Sequence, residues 1–277
     1  MSADVRAVQL DGVTFEYPRG PRALDGIDLR IATGERVAIV GQNGSGKSTL
    51  VRHLNGLLRP VSGSVTINGQ AVGRRHVAEL AREVGLAFQN PDRQIFAGSV
   101  RTEVAFGPRN LGRRGADLDA VVERALAIVG LTGDEGTNPY DLGFSRRKLL
   151  ALASILAMET PIVVLDEPTT GQDAKGISRV QTIVADLSAA GRTVIAISHD
   201  MRFVAESFER VIVMRAGKIV LDGTPQAVFD EPAWPTLAST FLEPPLAARV
   251  GARLGLGGTP TEAALVAALA TQAGDVR

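Results

Sequence analysis

Residues 41–48 read Gly41-Gln42-Asn43-Gly44-Ser45-Gly46-Lys47-Ser48. This glycine-rich turn is closed by a lysine and a hydroxyl residue. It is wedged between the short apolar run of residues 37–40 and a stretch with Leu50, Val51, Leu54, Leu57 and Leu58 at helical spacing. Strand, loop and helix in that order restrict the chain to folds that present backbone N–H groups to a polyanion. The glycines let those groups converge without Cβ obstruction, and the following helix adds the positive end of its dipole and its unpaired N–H groups. Lys47 is placed to reach β- and γ-phosphates, the Ser48 hydroxyl to coordinate Mg²⁺, and the adjoining Thr49 completes the loop. An ordinary flexible glycine turn would need neither Lys47 nor Ser48 in this register.

A second run, Ile162-Val163-Val164-Leu165-Asp166-Glu167, is an apolar strand that ends in two acids. Buried strands end in paired carboxylates only where a cation or a proton is handled. At the carboxyl end of a parallel sheet, beside the phosphate loop, Asp166 would hold Mg²⁺ through water and Glu167 would polarise an attacking water. Standing alone, Asp-Glu-Pro could instead be a solvated helix or turn start.

The rest of the chain fits an α/β protein. Residues 8–17 and 24–31 alternate as strands, residues 65–69 form a hairpin-like piece closing on Asn68-Gly69, and a helix near 77–82 precedes a strand at 84–88. Residues 91–135 read as Gly-, Pro- and Arg-rich loops around one helix at 118–129, followed by a helix at 145–158. Two near-continuous apolar strands, 162–165 and 193–197, flank a helix at 175–189, as in a parallel sheet covered on both faces. Beyond Thr224, Pro225, Pro232, Pro235, Pro244 and Pro245 punctuate short helical stretches, and Thr259 with Glu262 reads as a capping box before residues 263–270. The expected division is a domain over 1–224, with a helical subdomain at about 90–160, and a C-terminal helical extension over 225–277.

Composition narrows the partners. Thirty Lys plus Arg balance thirty Asp plus Glu, so no net charge favours nucleic acid, and none is expected as a partner. The absence of cysteine excludes disulfides, thiolate metal sites and cysteine nucleophiles. The apolar runs 149–158 and 263–270 are about half the ~20 residues a membrane helix needs, and the first six residues lack the pattern of a secretion signal.

With these motifs in this order, residues 5 to about 224 resemble the ATP-binding-cassette (ABC) family. The resemblance implies a P-loop NTPase core with a β-rich N-terminal subdomain, a helical insertion and ATP with Mg²⁺ as ligands. It implies that Tyr17 stacks on adenine, that Gln89 touches the metal and attacking water, that His199 contacts the γ-phosphate and Glu167, and that Asp173 joins the two halves of a dimer. One departure stands out. The family places Leu-Ser-Gly-Gly-Gln before the paired acids to cap the nucleotide of the opposite subunit, and this chain has Leu142-Gly143-Phe144-Ser145-Arg146. Gly143 removes the hydroxyl and Phe144 adds bulk. Arg146, Arg147 and Lys148 bring positive charge, either towards phosphate or as a surface basic cluster. Two impaired composite sites in a homodimer would follow, so a heterodimer with a second ABC ATPase is expected.

The strings from Phe88 to Phe96, from Glu103 to Pro108 and from Thr169 to Asp173 resemble the ATPases of energy-coupling-factor importers. That implies a transmembrane transporter subunit as partner, import of a vitamin or a transition-metal ion, and a cytoplasmic position on the inner face of the membrane. A translation or DNA-repair cassette would show a second cassette or a coiled-coil insertion, and neither is present. A non-hydrolysing regulatory nucleotide-binding module would be marked by loss of the acid at 167, which is retained.

Overall fold

The computed structural model describes residues 6–18 and 20–274. The first five residues of the secretion-signal reading, and the outermost ends of both expected domains, lie outside the described residues. The chain opens with β1 (Arg6–Glu16) and β2 (Arg22–Ala32), then β3 (Arg36–Val40), the phosphate-loop segment and α1 (Lys47–Leu54). The hairpin β4 (Ser62–Ile67) and β5 (Gln70–Ala71), the short α2 (Val77–Leu80) and β6 (Val84–Ala87) follow. Next come α3 (Val100–Asn110), α4 (Gly115–Val129), α5 (Phe144–Leu156), β7 (Ile162–Asp166), α6 (Ala174–Ala189), β8 (Thr193–Ile197) and α7 (Met201–Ser207). The chain closes with β9 (Arg210–Arg215), β10 (Lys218–Gly223), α8 (Pro225–Phe229), α9 (Trp234–Ala238), α10 (Leu246–Arg253) and α11 (Glu262–Gly274).

Two sheets result. An antiparallel sheet runs β2-β1-β4-β5, and a second runs β10-β9-β3-β8-β7-β6, parallel throughout except for the antiparallel edge strand β10. The inner strands are apolar at their central positions because both faces are covered, and polar residues are confined to their ends. Val37 and Ile39 of β3 join Ile162, Val164, Ile195 and Ile197 in a core shared with the antiparallel sheet and α1. Ala38 and Val40, with Val163, Leu165, Val194 and Ala196, face the helical layer of α3 to α7. Val228, Phe229, Leu237, Leu242 and Ala248, from the segment beyond Thr224, pack into that same second core.

Three expectations need correction, and one element is added. Residues 91–135 are not loops around one helix, for α3 adds a second. Ser99 caps it, and its buried positions Val100, Val104 and Pro108 recur every fourth residue. Glu103 anchors it, buried and accepting from the N–H groups of Phe96 and Ala97 at 3.0 and 2.8 Å. Gly107-Pro108, read as breakers, lie in its last turn, where a proline sacrifices little. Second, α1 stops at Leu54, so Leu57 and Leu58 are not on it. Gly56 then reverses the chain at φ +73°.

Third, β9 and β10 add a hairpin between the two stretches read above. Val211 to Met214 are fully buried, and Ala216 and Gly217 turn at φ +47° and +79°, a pair that suits a tight hairpin. Fourth, Thr259 does not cap α11. Its buried hydroxyl donates to the Ala247 carbonyl at 2.9 Å, fastening the approach to α10, while Thr261 accepts from the Ala264 N–H at 3.1 Å. Among the described residues no helix is long and apolar enough to cross a membrane.

Leu126 of α4 is 1% exposed in the helical-layer core. Leu126→Ala should lower the unfolding free energy by about 2–5 kcal/mol, read as a lower urea midpoint at unchanged slope. A loss below about 0.5 kcal/mol would show that α4 lies outside the cooperative core.

Candidate nucleotide site

The parallel register brings three strand ends to one edge. Ile39 pairs with Ile197, and Asp166 pairs with Ile197 from the other side, so the loops after β3, β7 and β8 meet. The loop after β3 is shaped by contacts that only glycine permits. A Cβ at Gly41 (φ +147°) would stand 2.2 Å from the Met214 carbonyl oxygen, and one at Gly46 (φ +105°) 2.4 Å from that of Ala23. Gly46 provides no side-chain cap for α1, whose first N–H groups are left for a ligand. Lys47 Nζ curls back into the loop and donates to the carbonyls of Gly41 and Gln42 at 2.6 and 2.9 Å and to Ser45 Oγ at 3.4 Å. Burial lowers the Lys47 pKa, opposed by the carboxylates of Glu167 and Asp166.

Asp166 is 5% exposed, and burial raises its pKa against the opposing influence of the Ser48 hydroxyl. Its Oδ1 is buried without a hydrogen-bond partner. A desolvated carboxylate oxygen beside a serine hydroxyl is a donor set that a hard divalent cation satisfies, so these residues fit Mg²⁺. Glu167 follows with φ +53°, uncommon for a residue with a Cβ, and its N–H donates to the Ile197 carbonyl at 2.9 Å. That turn aims the carboxylate at His199, whose Nδ1 lies 2.7 Å from Glu167 Oε2. His199 is held just past β8, where Ser198 Oγ accepts from the Asp200 N–H at 3.1 Å and Asp200 caps α7.

Tyr17, the loop residues Asn43 to Thr49, Gln89, Asp166 and Glu167 line one cleft of about 410 Å³. Of the expected site residues, Gly41, Gln42 and His199 do not line it. The first two contribute the carbonyls that hold Lys47, and His199 stands beside Glu167. Tyr17 is partly exposed at the cleft, its hydroxyl 3.2 Å from Thr49 Oγ1 and its ring edge-on to Phe15 with centroids 4.9 Å apart. Asp173 caps α6 through the Gly176 N–H at 2.7 Å.

The three basic residues of the altered signature have separate partners within the chain rather than forming one surface cluster. Arg146 pairs with Asp134, and Arg147 with Asp92 at 3.1 Å and the Leu142 carbonyl at 2.6 Å. Lys148 is buried. Two further residues near the site were not singled out as site residues. Gln94 accepts from the Phe88 N–H at 3.1 Å and donates to the Ala151 carbonyl at 2.7 Å, tying the segment before Gln89 to α5. Thr170 Oγ1 lies 3.5 Å from Glu167 Oε2. Lys148, read only for its charge, could have been found from spacing, since it shares a helical stripe with Leu152 and Ile155.

A loop built to hold a polyphosphate, with a cation-ready aspartate and a carboxylate–histidine pair at the ends of parallel strands, defines a P-loop nucleotide hydrolase. The sequence matches the ABC transporter family over residues 24–170. It is 42% identical over 224 residues to the energy-coupling factor transporter ATP-binding protein EcfA of Methanothermobacter thermautotrophicus, covering 80% of this chain and 72% of that one. It is also 42% identical over 226 residues to the EcfA of Methanocaldococcus jannaschii, covering 81% of each. In structure it is similar to cbiO1 of Clostridium perfringens, part of the ABC transporter complex cbiONQ, with a TM-score of 0.74 and 31% identity over 90% of this chain and 99% of that one. A dimeric ATP-binding cassette solved in a post-hydrolysis state with ADP and Pi gives a TM-score of 0.72 at 27% identity, covering 78% of this chain and 98% of that one. The chain belongs to the ABC transporter family and is an ABC ATPase, most like the energy-coupling-factor type, as its sequence led us to expect.

Lys47 is held in the loop by main-chain carbonyls against its own desolvation, beside the cleft that would take a polyphosphate. Lys47→Met should weaken ATP binding at least about tenfold in a fluorescent-nucleotide titration, beyond the roughly 1–3 kcal/mol of stability lost with its bonds to the Gly41 and Gln42 carbonyls. Undiminished binding would exclude Lys47 from phosphate recognition.

Proposed function

We propose that this chain binds ATP·Mg²⁺ in the described cleft and hydrolyses it to energise import of a small solute, a vitamin or a transition-metal ion, through a separate membrane subunit. The observation that carries the reading is the Glu167–His199 pair at 2.7 Å, set at the strand ends beside the phosphate loop. Tyr17 offers a π face to adenine, and residues 41–49 cradle the phosphates. Ser48, Asp166 and Gln89 would hold Mg²⁺, which supplies charge neutralisation between phosphates. Glu167 accepts a hydrogen bond from the attacking water and polarises it. His199 orients that carboxylate from one side and presents its other ring nitrogen towards the γ-phosphate. Gln89, two residues past the end of β6, touches the same water and reports to the membrane partner.

The partner and cargo rest on likeness to the EcfA proteins and on the strings around Gln89. The same likeness supports reading the chain as a peripheral protein on the inner face of the membrane, with residues 1–224 as the proposed ATPase domain and 225–277 as a proposed helical extension. The second ATPase rests on the altered signature. Gly143 offers no hydroxyl, and the charges of Arg146 and Arg147 are neutralised within the chain, so a partner with an intact signature would complete this chain's own site. The same defect is what favours a regulatory, non-hydrolysing module as the second reading.

In the assembly with its membrane subunit, Glu167→Gln should lower turnover about a hundredfold or more while ATP affinity is kept, trapping a nucleotide-bound dimer. Normal turnover in that variant would remove Glu167 from water activation, and a wild-type assembly that binds ATP but never hydrolyses it would favour the regulatory module.

A further inference from the structure

The first two turns of α5 lie against the turn that carries Glu167, and the hydrolysis proposed above makes no use of that contact. Lys148 is 7% exposed, and its ammonium donates to the main-chain carbonyl of Glu167 and, at 3.1 Å, to that of Thr170. One turn earlier, Ser145 Oγ donates to Gln172 Oε1 at 2.7 Å, and Gln172 Nε2 donates back to the Ser145 carbonyl at 3.0 Å. The Phe144 ring covers Gly171 so closely that a Cβ there would stand 2.8 Å from it. Three residues at or just after the signature position thus grip residues 167–172 of the same chain.

The gripped segment needs holding. Glu167 and Gly171 both have left-handed backbone, at φ +53° and +75°, a conformation disfavoured for the glutamate. Its carbonyl and that of Thr170 converge on one point, and a buried ammonium there satisfies both acceptors with charge-assisted bonds. Without that donor the two carbonyls would be desolvated and unpaired, and the turn would relax towards right-handed backbone, swinging the Glu167 carboxylate off His199. The contact also explains why a lysine tolerates so dry a site, although burial pushes its pKa down to about 8.

We infer that Lys148 is a positioning residue for the hydrolytic site of its own chain, clamping the 167–172 turn together with Phe144 and Ser145. Phe144 and Ser145 replace a sequence that caps a nucleotide in trans, and they make their contact in cis. The inference rests on the reading of Glu167 as the water-activating residue.

The test compares wild type, Lys148→Met, Lys148→Arg and Glu167→Gln in the full-length chain, purified with its co-purifying assembly. Lys148→Met keeps the apolar stem and loses the donors. It should lower kcat about tenfold while leaving KM for ATP within about twofold, and Lys148→Arg, which restores donors, should recover most of that loss. Amide hydrogen exchange over residues 167–172 should quicken at least about fivefold in Lys148→Met, with β3 and α4 unchanged. Wild-type turnover in Lys148→Met beside an inactive Glu167→Gln overturns the clamp alone, whereas an active Glu167→Gln overturns the reading of Glu167. Lost turnover with unchanged exchange at 167–172 also overturns the clamp, since the effect would then lie at the other cassette's nucleotide. Should Lys148→Met fail to fold, Ser145→Ala loosens the same grip, and unchanged 167–172 exchange in that variant overturns the inference.

Discussion

Lys47, Lys148, Asp166 and Glu167 are 8, 7, 5 and 6% exposed, four ionisable groups withdrawn from water at one edge of a parallel sheet. Burying charge is expensive unless each group finds partners, and the surrounding architecture supplies them. The two ammonium groups are met by main-chain carbonyls, of Gly41 and Gln42 for one and of Glu167 and Thr170 for the other. Of the carboxylates, Glu167 meets His199, and Asp166 keeps one buried oxygen without a hydrogen-bond partner. Those carbonyls converge only because β3, β8 and β7 are parallel and in register, so that three loops leave the sheet together. The apolar strands and the two cores that cover them are what make that register rigid.

The sequence was most readable where local chemistry and strand pattern coincide. Residues 41–48 between an apolar strand and a helical pattern, and Asp166-Glu167 closing a second such strand, announced the phosphate loop and the acidic pair without any tertiary information. Legibility failed where burial depends on distant partners. The helix α3 was hidden because Gly107 and Pro108 are breakers by propensity, and its anchor, Glu103, is an acid whose partners are backbone N–H groups of the preceding loop. Thr259 fitted a capping pattern, but its hydroxyl was drawn to Ala247 by the packing of α10, and Thr261 two residues on took the cap. A cap needs only a hydroxyl at the right backbone position, and spacing alone cannot choose between two threonines.

The altered signature shows the same limit from the other direction. As letters, Arg146, Arg147 and Lys148 looked alike, three cations at the positive end of a helix. In the fold they have three fates, one on Asp134, one on Asp92 and one buried among carbonyls, so the helix start presents far less free positive charge than its sequence suggests. The physical consequence is an asymmetry within a single chain. The candidate cleft gathers the phosphate-loop residues with Asp166 and Glu167, while the altered signature has a glycine at 143 and a phenylalanine at 144 and turns its one hydroxyl, on Ser145, to Gln172 of the same chain.

That asymmetry is most directly tested by measuring ATPase turnover of the purified chain alone over a wide range of concentration, and again for the assembly recovered with it from native membranes. The account predicts negligible turnover for the chain alone at every concentration, and robust turnover in an assembly that contains a second ATPase with an intact signature. Turnover by the chain alone that rises with the square of its concentration and reaches the rate of the assembly would contradict it, because two copies of this chain would then suffice.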